Sequence, residues 1–120
     1  MNNINAIQTP VGLVTGRDGF YLDNVSEDKQ GHRLVFSGDI NLKLASEYKG
    51  QATWMKYKLE FSDVTSFKKE EVENSSFGED SSFVELPPSD TKRQFIFATY
   101  DYVYEIEARD YVFSLGEERT

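Results

Sequence analysis

The stretch Leu34-Val35-Phe36-Ser37-Gly38-Asp39-Ile40-Asn41-Leu42-Lys43-Leu44 decides the fold class. Leu34, Phe36, Ile40, Leu42 and Leu44 all fall on even positions, with Gly38 as the only gap. The odd positions, Val35 apart, are the polar Ser37, Asp39, Asn41 and Lys43. Side chains alternate across a strand, so this pattern predicts a strand over 34–44 with one buried face and one wet face. A glycine inside such a run predicts a bend or a bulge.

Working outward, the same period recurs. Met55, Tyr57, Leu59 and Phe61 alternate with Trp54, Lys56, Lys58 and Glu60, which predicts a second strand with its odd positions in the core and Trp54 out of phase. Asp18-Gly19 reads as a turn before a strand over 20–25, and the polar run 26–31 reads as a hairpin loop. Toward the C-terminus, three short strands are expected over 95–99, 102–108 and 111–115, or two with a bulge near Ala108 to Asp110, with a tight turn near Tyr100-Asp101 and Gly116 ending the last one. Two stretches are less regular. Residues 66–74 fit either one short helix or an edge strand, because Phe67 and Val72 are five apart, a poor helical spacing. Residues 83–86 read as a short strand that Pro87-Pro88 breaks, inside a long or mobile loop region over 74–92. Residues 1–10 are polar and are expected to fray.

The sum is a single mostly-β domain of 120 residues with seven to nine strands and at most one short helix. Hairpin connections make the sheet antiparallel. Such strands bury their apolar faces in a β-sandwich or a partly open β-barrel.

Composition narrows the chemistry. Thirteen basic residues against 21 acidic ones give a net charge of −8, which disfavours a phosphate-binding or anionic-membrane surface and suits a basic protein partner. No nucleic-acid and no membrane partner is expected. There is no cysteine, which removes disulfides, zinc–thiolate sites and thiol nucleophiles. His32 is the only histidine, and no G-x-S-x-G elbow accompanies it. Gly12, Gly16 and Gly19 have neither dinucleotide nor P-loop spacing. Neither a leader-like N-terminus nor a run of about 18 apolar residues is visible, so a cytoplasmic protein without metal or cofactor is the expectation.

What remains is carboxylates and tyrosines. Glu105 and Glu107 share one face of a strand, about 6.5–7 Å apart along the backbone, with Asp101 and Asp110 flanking them. Tyr100, Tyr102 and Tyr104 have even parity and form a row if the strand is regular through Asp101. Tyrosine buries a ring while keeping a wet hydroxyl, which suits interfaces. A turn at Tyr100-Asp101 would break the row. These residues point first to a non-enzymatic protein-binding module, such as an acidic inhibitor or immunity-like protein. Its contacts would be Tyr100, Asp101, Tyr102, Tyr104, Glu105 and Glu107. Two alternatives stand beside it: a small-ligand-binding barrel or sandwich lined by aromatics, and a carboxylate-based hydrolase.

Overall fold

A computed structural model describes residues 5–7, 9–14, 19–28, 30–48, 50, 53–71, 82–89, 92–100 and 102–119. Strands run β1 Asn5–Ala6, β2 Phe20–Asp28, β3 Arg33–Asn41, β4 Trp54–Ser62, β5 Ser66–Glu71, β6 Phe83–Ser89, β7 Lys92–Ala98, β8 Tyr102–Ala108 and β9 Asp110–Arg119. They form two antiparallel sheets, β2-β3-β4-β9 and β1-β6-β7-β8-β5. Of the stretch 66–74, expected as a short helix or an edge strand, the described residues Ser66–Glu71 form an edge strand. The described part of the chain contains no helix beyond a 3-10 turn at Leu42–Leu44, so none long and apolar enough to cross a membrane.

The two sheets pack face to face through phenylalanine. Phe36 and Phe20 of the first sheet meet Phe97 of the second at 5.2 and 4.9 Å between ring centroids, and Phe61 meets Phe95 at 5.2 Å. Phe20, Phe36, Phe61, Phe83, Phe95 and Phe97 are fully buried. Each such ring stabilises the sandwich by about 1.5–3 kcal/mol of transfer free energy. The tilted and edge-on ring angles are those the aromatic quadrupole favours.

The alternation in 34–44 and 54–61 holds. Leu34, Phe36 and Ile40 oppose Phe61, Leu59 and Met55 on the inner face. The strand ends at Asn41, earlier than the alternation suggests, because the side chain of Asn41 accepts the Lys43 amide and turns the chain into the 3-10 segment. The irregularity expected at Gly38 lies on the opposing strand, between Leu22 and Asn24 of β2. Gly38 accommodates it: a Cβ here would overlap the Tyr21 carbonyl oxygen. Gly116 likewise sits in a bulge against β4 rather than at a strand end, and β9 runs on to Arg119. The loop expected over 26–31 is shorter, since β2 and β3 stay paired to Asp28–Arg33.

Two further expectations are corrected. The N-terminal stretch does not fray throughout: Asn5 and Ala6 pair with Glu85 and Val84, and Ile7 and Thr9 are buried. The Thr9 hydroxyl closes a tight turn by donating to the Gly12 carbonyl and accepting the Val11 amide. Within the loop region expected over 74–92, Phe83–Ser89 form β6 and the strand β7 starts at Lys92, while 74–81, 90 and 91 lie outside the described residues. The proline pair does not end β6. It falls where the β6–β7 register shifts, between Leu86 and Ser89, and beyond the reach of β1, so neither missing N–H interrupts a regular ladder.

Two of the three crossings between the sheets share one corner. β4 leads to β5 through Asp63, and β8 leads to β9 through Arg109. The Val64 amide donates to the His32 carbonyl, Thr65 to Glu107 and Arg109 to Ser62. Asp63 (φ 52°) and His32 (φ 53°) adopt the left-handed region to make these turns.

Candidate binding face

β8 carries most of the residues singled out from the sequence, and the sandwich splits them. Tyr102, Tyr104, Ile106 and Ala108 face the interior, while Val103, Glu105 and Glu107 face outward. Tyr104 is 4% exposed and packs edge-on against Phe36 at 4.9 Å. Tyr102 is half-buried at the margin, with the Lys69 ammonium 4.4 Å from its ring centre. Tyr100 lies in the β7–β8 turn, 43% exposed, and stacks on Tyr21 at 5.2 Å; Tyr21 in turn meets Trp54 edge-on at 5.1 Å. The turn is tied to the first sheet, since the Tyr100 amide donates to the Phe20 carbonyl. The tyrosine row is therefore broken at the turn. Asp101 lies outside the described residues.

Glu105 and Glu107 do share a face, and that face has a composition of its own. Cross-strand register places Lys68 beside Glu105 and Ser66 beside Glu107 on β5, with Ile96 and Gln94 beside them on β7. Thr65 donates its hydroxyl to Glu107 Oε1 at 2.5 Å. Among the described residues Glu105 has no ion pair. The two glutamates border an open groove of about 240 Å³, whose other walls include Lys68, Leu86, Gln94 and Ile96. Next to it Val84, Ile96, Ala98 and Val103 form an apolar cluster on the outer side of the sheet, with Leu86 packed against it. Val103 and Ile96 are only 1% and 2% exposed.

Leu86, Gln94 and Ile96 escaped sequence reasoning. A signal was there: Phe95-Ile96-Phe97-Ala98 is apolar at both parities, as a strand buried on both faces must be.

Near the start of the central strand β7, Arg93 forms a two-pronged pair with Glu85, Nε to Oε2 at 2.8 Å and Nη2 to Oε1 at 2.9 Å, and reaches Asp110 of β9 at 3.3 Å. Its guanidinium lies over Phe95 and Tyr111, at 5.1 and 5.6 Å. The hydrogen bonds to Glu85 raise the affinity of Arg93 for its proton, and burial raises that of Tyr111 against the opposing pull of Arg93. This cluster clasps the two sheets together. In the core, burial first, then Asp23, Tyr104 and Asp39, push the Tyr57 hydroxyl far above the ordinary tyrosine range. No group of three or more His, Asp or Glu side chains among the described residues is arranged to hold a metal ion. His32 is exposed in the β2–β3 turn.

Comparisons with family models, with curated proteins and with solved structures find no match to this chain.

Proposed function

We propose that this protein is a non-enzymatic binding module, and that it holds a basic protein partner against the outer face of the β1-β6-β7-β8-β5 sheet. The observation that carries the reading is the position of Glu105 and Glu107. They stand side by side on an open groove whose neighbours Leu86 and Ile96 are apolar. A lysine or arginine of a partner would lay its aliphatic stem along the half-buried Leu86 and place its cation at the carboxylates. The net charge of −8 would steer such a partner in and would disfavour nucleic acid. Two rival readings fit less well. The aromatic rings that would line a ligand cavity pack on one another instead. The paired glutamates lie on one strand rather than on opposite sides of a cleft, as glycoside hydrolysis would need.

The test is capture from the native host's lysate at low and moderate salt, with wild type and the Glu105→Lys variant as bait. A basic protein retained at low salt by wild type alone supports the reading. No basic protein retained, or equal retention by both baits, overturns it.

A further inference from the structure

The edge strand β5 has a charge order with a consequence that does not depend on the binding face. Its sequence is Ser66-Phe67-Lys68-Lys69-Glu70-Glu71, and it pairs with β8 on one side. Among the described residues no strand lies on its other side. Alternate N–H and C=O groups of β5 therefore point outward, a template for one more strand. The strand contains no proline.

We infer that β5 pairs antiparallel with β5 of a second copy, joining the two five-stranded sheets into one continuous sheet across a twofold axis. The axis must stand perpendicular to the sheet, so that outer faces stay together. Residues directly opposed across the seam then have the same parity. One such register places Lys69 against Lys69 of the partner copy, Lys68 against Glu70, and Phe67 against Glu71. It matches all of 67–71 and sets two opposite-charge pairs on the outer face, Lys68 with Glu70 and its symmetry mate. Shifting the strands by one pair opposes Lys68 to Lys68 in one direction or Glu70 to Glu70 in the other. The first shift loses the opposite-charge pairs, and the second keeps only 69–71 overlapped. The like pair left at the axis is softened because the Lys69 ammonium is drawn back over the Tyr102 ring, 4.4 Å from its centre. Lysine on an edge commonly blocks association. Here Lys68 has an acidic residue of the same strand two positions on, so antiparallel pairing turns the block into a match. Lys68 and Glu70 make no ion pair among the described residues, and both remain available across the seam.

The absence of cysteine gives a clean test on the full chain. Opposed Cα atoms in an antiparallel pair lie about 4.5–5.5 Å apart, within disulfide reach. The Lys69→Cys variant should cross-link to a covalent dimer under mild oxidation, whereas Lys68→Cys and Glu70→Cys should not. By sedimentation at micromolar to submillimolar concentration, wild type should be dimeric. Lys68→Glu and Glu70→Lys should each weaken the dimer about tenfold or more, since each turns two attractive pairs repulsive. The double variant Lys68→Glu/Glu70→Lys should recover it. Circular dichroism confirms that each variant is folded. A monomeric wild type, cross-linking that ignores position, or a double variant no better than the singles overturns the inference.

Discussion

The outer faces of the two sheets differ in kind. On the β2-β3-β4-β9 sheet, the outward residues of β3 and β4 form a charged ladder: Arg33 pairs with Glu60, Lys58 stands 3.8 Å from the same carboxylate, and Lys56 opposes Asp39. Opposite charges sit across from each other on these two strands. On the other sheet, Val84, Ile96, Ala98 and Val103 are buried, and of the two glutamates beside them Glu105 has Lys68 opposite it on β5 while Glu107 has Ser66. The first face satisfies itself. The second sets Glu105 and Glu107 beside the half-buried Leu86, over an apolar layer that is itself closed to solvent.

The largest effects should come from neighbouring residues on opposite sides of β7. Phe97→Ala removes a fully buried ring from the sandwich core and should cost about 3–5 kcal/mol in urea-unfolding free energy. Ile96→Ala, one residue away on the outer face, should cost about 2–4 kcal/mol, because Ile96 is nearly as buried. On the polar face, Val35→Ala should cost less than about 1 kcal/mol, since Val35 is only half-buried. Equal small losses for Ile96→Ala and Val35→Ala would erase the distinction between the faces.

Next in size is the pair of arginines. Arg93 binds Glu85 with two good hydrogen bonds and spans to Asp110 on the other sheet. Arg93→Ala should lower the unfolding free energy by about 1–3 kcal/mol. Arg33 is half-exposed beside Glu60, and Arg33→Ala should change it by no more than about 1 kcal/mol. The comparison is read from denaturation midpoints at equal slope.

How much of this was legible follows from the same contrast. Strands β3 and β4 each bury one face only, so their alternation could be read directly, down to Leu34, Phe36, Leu59 and Phe61. Strand β7 buries both faces, and a continuous apolar run carries no period to read. β5 buries little: Phe67 alone of its six residues is apolar, and charged strands look like helices or loops. For the site, the parity of Glu105 and Glu107 was readable because it is a property of any strand. The separation of Tyr100 from Tyr102 was not, because it depends on a turn held by the Tyr100 amide and the Phe20 carbonyl, contacts between distant segments.

A further prediction concerns pH. The Tyr57 hydroxyl, which donates to the Tyr21 carbonyl at 3.3 Å, holds its proton in the folded protein well above its unfolded value of about 10. Below that pH both states are protonated and the shift has no effect on stability. As pH rises past it, the unfolded chain releases the proton while the folded one keeps it, so stability falls by up to about 1.4 kcal/mol per pH unit from this group. Tyr57→Phe should cost about 1 kcal/mol or less at pH 7 and should flatten the decline between pH 10 and 11. Urea titrations across pH 8–11 check it. The smallest effect is expected at His32, whose left-handed backbone suits glycine: His32→Gly should raise stability by about 0.5–1 kcal/mol, seen as a higher melting temperature.

The most direct measurement is a matched charge reversal on the two faces. Glu105→Lys and Glu60→Lys change net charge by the same amount on opposite sides of the sandwich. Binding of the captured basic partner to each variant would be measured by titration at one ionic strength, after circular dichroism shows that both are folded. The account predicts that Glu105→Lys weakens binding at least about tenfold and that Glu60→Lys leaves it within about threefold. Equal weakening by both would show that bulk charge, not this face, holds the partner, and would contradict the account.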